Sequence, residues 1–319
     1  MPTAMATTDD DDVCSICLVG FHSGAGTPKQ PPCGMSTTKF VYCNSRGPNC
    51  IDLSLSSSDI YQSVSLLKQA CLDCGFFYVV NHGISEQFMD QVFAQSRSAR
   101  RRFQGGPFYG PNVWPALDLL PGWRDTMEEF HRQALEVAKA VARLIALALD
   151  LDVHFFDTQE MLGEAIATLR LLHYDGQISD PANGIFGAGA HSDFGLITLL
   201  ATDEVIGLQI CKDKDAKPQV WEYVSPKKGA FIVNLGDMLE RWSNCIFKST
   251  LHRVVGNGQD RYSIAYFVEP SHDCLVECLP TCKSEENPPK FPPILCHTYL
   301  SQRYHDTHAD LNVYKEPKK

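Results

Sequence analysis

HSDFGLITLL, residues 191–200, is the stretch on which the reading of this chain turns. Its second half is a short apolar run of strand type, set off from the polar opening by Gly195. His191 and Asp193 stand two apart, and such residues in an extended chain point to the same face. An imidazole and a carboxylate placed that way can meet one small ion. The tripeptide alone is common by chance, so a second element has to support it. STLHRVV, residues 249–255, does so by placing His252 in another strand-like run that a barrel can fold back beside the first. Two histidines and one carboxylate on one face suit Fe(II) and leave its other coordination positions open.

The next strand-like text, RYSIAYF, begins at Arg261. Arg261 and Ser263 are again two apart and share a face, and a guanidinium is the group suited to gripping a carboxylate with two hydrogen bonds. Arg261 at a strand end can also simply face solvent. Taken with the three metal-type residues, the pair describes a metal beside an acidic co-substrate.

Working outward, short apolar runs follow one another from about residue 165: IATLRLLHY, LITLLAT, IGLQIC, QVWEYV, GAFIVNL, STLHRVV, YSIAYFV and CLVECL. Eight candidate strands with Gly, Pro, Asp and Asn between them predict a mainly β fold, a double-stranded β-helix or jelly-roll core. GDMLERWS reads as a short helix among them, and His297 to Tyr304 as a terminal one. Upstream, Ile51 and Leu53 alternate like a short strand, and serines 56–58 cap a helix that ends near Cys74 before Gly75. Phe76–Val80 reads as a strand, Ser85 caps a second helix, and Gly122 to Asp150 carries a long amphipathic one. His131 in that helix is expected to be a packed or surface residue, and the arginines at 97 and 100–102 a solvated helix end.

Composition sets the outer limits. With 319 residues and 44% apolar content the chain is not disordered and has room for a large core. Its net charge of −10 repels phosphate backbones and anionic lipid, so neither nucleic acid nor membrane is an expected partner. No stretch is apolar enough to span a bilayer, and the opening lacks a secretory signal, so a cytoplasmic protein is expected. The 13 cysteines read as free thiols; Cys14, Cys17, Cys33, Cys43 and Cys50 lack the second close pair of a zinc ribbon. Cys71 and Cys74 close a helix where buried free cysteine is common, and Cys274, Cys278 and Cys282 match no metal pattern.

HSDFGLITLL, NLGDMLERWSN, STLHRVV and RYSIAYF, in that order, resemble the successive signatures of the 2-oxoglutarate- and Fe(II)-dependent oxygenases. Upstream, ACLDCGFFYVVNHGIS resembles the N-terminal signature of their isopenicillin N synthase-like branch, which has many plant members acting on small molecules. The resemblance implies iron on His191, Asp193 and His252, and the distal carboxylate of 2-oxoglutarate on Arg261 and Ser263. It places Tyr174 of LRLLHYDG on the co-substrate as well, although Leu172 stands where an Asn is frequent. It also implies Fe(II), 2-oxoglutarate and O2, with ascorbate as a reductant, in oxidation of a small molecule coupled to release of succinate and carbon dioxide. Phe194 and Phe267 fall beside the metal motifs as pocket or core residues.

The expected organisation is an irregular extension over 1–47 and an N-terminal region over 48–164, shortened near 103–107. The core follows over 165–270, and a strand and helix over 271–319 complete the same domain. Two departures from the family pattern are abrupt: the cysteine-containing extension, and SRSARRRFQGG running directly into PFYGPNVWP. They point to a splice or gene-model variant whose core is incomplete. Two other readings therefore stay open: a non-catalytic relative acting as a binding protein, and an aminocyclopropane-carboxylate-oxidase-type enzyme that does not consume 2-oxoglutarate.

Overall fold

The computed structural model describes residues 14–21 and 40–41 as backbone strands, and residues 50–54, 60–98, 112 and 114–307. The arginines at 100–102 and the cysteines at 33 and 43 lie outside the described residues, as does most of the segment over 1–47. Fourteen strands are present among the described residues, β1 Cys14–Phe21, β2 Phe40–Val41, β3 Cys50–Asp52, β4 Phe76–Val80, β5 Ile166–Asp175, β6 Ala188–His191 and β7 Ile197–Thr202 coming first. There follow β8 Leu208–Asp213, β9 Val220–Val224, β10 Phe231–Leu235, β11 His252–Val254, β12 Asp260–Glu269, β13 Leu275–Val276 and β14 Ile294–Leu295. The α-helices are α1 Ile60–Asp73, α2 Glu86–Ser98, α3 Trp123–Ala148, α4 Asp237–Trp242 and α5 Cys296–Thr307.

From β5 to β12 the chain winds between two sheets. The larger has the order β1-β5-β12-β7-β10-β4-β3 and the smaller β2-β9-β8-β11-β6. This is the double-stranded β-helix expected from the strand text, with its two sheets unjoined at their edges, so the core is not closed. Period-two alternation explains why the large sheet is apolar on both sides. Ala167, Leu169 and Leu171 of β5 and Ile264, Tyr266 and Val268 of β12 enter one buried cluster with α3. Leu172, Tyr174 and Ala265 face the other way, with Leu208, Ile210 and Val254 of the smaller sheet.

Helix α3 covers the large sheet because Met127, Phe130, Ala134, Val137, Val141, Leu144 and Ala148 recur at helical spacing and are buried. Gly122 precedes it in the left-handed region, at φ 69°, where a side chain would be strained. His131 is packed, its Nδ1 sharing a 2.7 Å hydrogen bond with the Tyr266 hydroxyl.

Three expectations are corrected. CLVECL is not a core strand: only Leu275–Val276 is extended, and it pairs with β14 in a separate two-stranded sheet. The eighth core strand is β6, whose sequence AGAH carries no apolar alternation. The stretch over 1–47 contains β1 and β2, β1 running parallel to β5 along its outer edge. No helix among the described residues is long and apolar enough to cross a membrane.

Candidate metal centre and adjoining cavity

His191 is the last residue of β6 and His252 the first of β11, and the two are direct partners in the antiparallel ladder. Their ring centroids are 4.3 Å apart. Asp193 lies beyond the end of β6 rather than within a strand, in a loop held by two backbone contacts. The Asp237 N–H donates to the Asp193 carbonyl at 2.8 Å, and the Gly236 N–H to the Leu196 carbonyl at 3.0 Å. Gly236 permits that approach, since a Cβ there would stand 2.2 Å from the Gly195 carbonyl oxygen. Asp193 Oδ1 is consequently 3.8 Å from His191 Nε2 and 3.6 Å from His252 Nε2.

The remaining atoms of the three side chains are already occupied. Thr198 Oγ1 and Asn234 Nδ2 both donate to Asp193 Oδ2, at 2.6 and 2.7 Å. The Nδ1 atoms of His191 and His252 lie 2.8 and 3.1 Å from the carbonyls of Gly189 and Thr250. A ring nitrogen facing a carbonyl carries the proton, which leaves both Nε2 atoms as lone-pair donors. One carboxylate oxygen and two imidazole nitrogens therefore remain, all within 4.8 Å of one another, and they form the one such cluster among the described residues. This donor set fits Fe(II) with open coordination positions.

The electrostatics agree. Burial pushes the Asp193 carboxyl up, but the charge of His252 and the bonds from Thr198 and Asn234 outweigh it and hold the group below the usual carboxylate range. Burial also holds the His252 imidazole below its ordinary range, against the pull of Asp193, which favours the neutral ligand form.

Arg261 and Tyr174 are partners in the β12–β5 ladder, and the guanidinium carbon lies 5.1 Å from the Tyr174 ring centroid. Arg261 Nη1 donates to Ser263 Oγ at 3.4 Å and its Nε donates to the Val205 carbonyl at 3.2 Å. All three expected co-substrate residues are buried and converge between the sheets.

A cavity of about 530 Å³ opens beside the metal residues, lined by His191, Asp193, Phe194, Arg170, Phe267, Glu269 and, from α5, Leu300, Arg303 and Tyr304. Phe194 and Phe267 are thus cavity residues. Arg303 is tied to Asp237 and stacks over Phe194 at 4.8 Å. Ser192 also donates to Asp237, at 3.0 Å. Glu269 is pushed up to about 8 by burial and then by Asp193, with Arg170 opposing. Residue spacing does not single out Thr198, Asn234, Arg170 or Glu269. Thr198 stands inside HSDFGLITLL, Arg170 inside LRLLHYDG and Asn234 inside NLGDMLERWSN, whereas Glu269 lies outside all three.

Residues 166–270 match the model of the 2OG-Fe(II) oxygenase superfamily, and residues 49–102 that of the non-haem dioxygenase N-terminal region in morphine synthesis. A kihadalactone A synthase of Citrus sinensis is 43% identical over 311 residues, covering 82% of this chain and 92% of its own. This chain belongs to the 2OG-Fe(II) oxygenase superfamily. An azadirone synthase of Melia azedarach is 42% identical over 310 residues, at 82% and 92% coverage. The crystal structure of Neurospora crassa T7H with alpha-KG and 5-formyluracil shares the fold at a TM-score of 0.70 and 31% identity, covering 80% of this chain and 94% of that one. The oxygenase is therefore a 2-oxoglutarate-dependent enzyme using Fe(II) and 2-oxoglutarate on a small molecule. The alignment with the Citrus enzyme is longer than the share of this chain it takes in, so the relative has positions without a counterpart here.

Proposed function

We propose that His191, Asp193 and His252 hold the iron, that Arg261 and Ser263 grip the distal carboxylate of 2-oxoglutarate, and that Tyr174 stacks against that guanidinium. The carrying observation is the division of labour at Asp193: Oδ2 is taken by Thr198 and Asn234 while Oδ1 faces both Nε2 atoms. When bound, iron and 2-oxoglutarate supply the oxidation of the substrate by O2, with release of succinate and carbon dioxide, and ascorbate serves as a reductant. The protein's part is positional. Buried Arg261 orients the co-substrate, the Gly189 and Thr250 carbonyls fix the imidazole tautomers so that both Nε2 atoms are left as lone-pair donors, and α5 with Phe194 lines the cavity. The substrate is a small-molecule metabolite, and hydroxylation or a related oxidation is the reaction. The organisation proposed is one domain, with the site carried by 165–270 and supported by 48–164 and 271–319. A cytoplasmic setting without nucleic acid or membrane partners accords with the net charge of −10.

Iron content and succinate release decide this reading. The chain given Fe(II), 2-oxoglutarate and ascorbate should form succinate; H252A should retain under a tenth of the iron, and R261A should keep iron while losing 2-oxoglutarate affinity at least tenfold. Full iron in H252A sinks the ligand assignment. Bound iron without succinate favours the oxidase or the non-catalytic binding protein, the second of which draws its support from the unclosed core.

A further inference from the structure

The facing strands β5 and β12 grade the interior from one end to the other. In register, Tyr174 faces Arg261, Leu172 faces Ser263, Arg170 faces Ala265, Thr168 faces Phe267 and Ile166 faces Glu269. Residues two apart share a face, so these side chains form one row between the sheets. Its first two pairs are the co-substrate end. Beyond them, on the side of the 530 Å³ cavity, stands Arg170.

Arg170 is poorly provided for. Its Nε is buried with no hydrogen-bond partner, and its guanidinium carbon lies 5.4 Å from the Phe267 ring centroid. Glu269 attracts it electrostatically, without satisfying Nε. A guanidinium offers five donors in a rigid fork, and a buried donor left unmet in a native structure calls for an explanation. The other arginine of the cavity, Arg303, is already tied to Asp237. The Arg170 side chain lines the cavity beside His191 and Asp193, and what enters the cavity supplies the hydrogen-bond acceptors that Phe267 and Glu269 do not.

Resting on the reading of this cavity as the substrate chamber, we infer that Arg170 is a specificity-determining residue that takes an oxygen acceptor of the substrate, a carboxylate or a carbonyl. Phe267, beside it, packs on the apolar part of the same molecule. The substrate class is an apolar ring compound carrying such an oxygen, oriented by the fork so that the opposite end faces the metal residues.

Three probes on one skeleton test this: indole-3-acetate, its methyl ester and 3-methylindole, which carry a carboxylate, a neutral carbonyl and neither. Each is titrated anaerobically into the iron–2-oxoglutarate complex of the wild type and of R170M, following the visible charge-transfer absorption. The acid or the ester should bind the wild type at least tenfold more tightly than 3-methylindole, the better of the two naming the acceptor, and R170M should level all three. The melting temperature of R170M should equal or exceed that of the wild type, because methionine fills the space without a buried donor. A drop of several degrees in R170M marks Arg170 as structural and overturns the inference, as does equal binding of the three probes to the wild type. Failure of both proteins to form the iron–2-oxoglutarate complex overturns the parent reading instead.

Discussion

At Asp193 one carboxylate does two jobs. Oδ2 is fixed by Thr198 and Asn234, and fixing it aims Oδ1 at the two imidazoles. Partners of this kind are worth tenfold to a hundredfold in metal affinity. N234A should therefore weaken iron binding by about 10–100-fold, read by competition with a chromophoric chelator, while far-ultraviolet dichroism stays unchanged. Unaltered affinity would show that Thr198 suffices. Glu269 supplies a second residue-scale prediction. Its folded pKa of about 8 lies above the ordinary 4.5, so the folded chain binds more protons than the unfolded one between those values. Stability of the metal-free protein then falls as pH rises through that window. E269Q should melt higher than the wild type at pH 8 and lose most of that advantage at pH 5. A pH-independent difference would place the effect in packing. Neither Asn234 nor Glu269 is legible as a functional residue from spacing, because each acts on a neighbour more than thirty positions away in the chain.

At the scale of elements, the least legible strand is the one that ends in His191. β6 is four residues of Ala, Gly and His, three of them exposed, so it lacks the alternation by which β5 and β12 announce themselves. It is extended because β11 pairs with it, His252 opposite His191. CLVECL errs in the opposite direction: the apolar text is there, but its packing leaves only two residues in a strand. The same logic applies to the outer edge of β5, which β1 covers in parallel from Cys14 opposite Ala167 to Phe21 opposite Tyr174. A ten-residue strand with a bare edge is a template for other chains. Deletion of residues 1–21 should give concentration-dependent self-association by light scattering and a lower melting temperature. A monomer that melts unchanged would show that β1 contributes nothing to the sheet.

For the molecule as a whole, the two sheets hold the residues proposed for the metal and for the co-substrate on different strands of one interior. His191 and His252 face each other in the β6–β11 ladder of the smaller sheet, and Arg261, Ser263 and Tyr174 stand on the β5–β12 ladder of the larger. Separation along β12 leaves the 530 Å³ cavity between β5, β12 and α5 for a substrate. The sequence by itself determined the class of fold, and it singled out the two histidines, Asp193 and the Arg261–Ser263 pair as candidates. Strand periodicity and residues two apart on a face are local properties that survive in one dimension. Only the tertiary structure decided which oxygen of Asp193 is available, that AGAH is a strand, that residues 14–21 join the large sheet, and that Arg170 opens on the cavity without a hydrogen bond to Nε. Those features depend on pairings between distant segments, and a hydrogen bond or a buried unmet donor exists only once both partners have been brought to the same place.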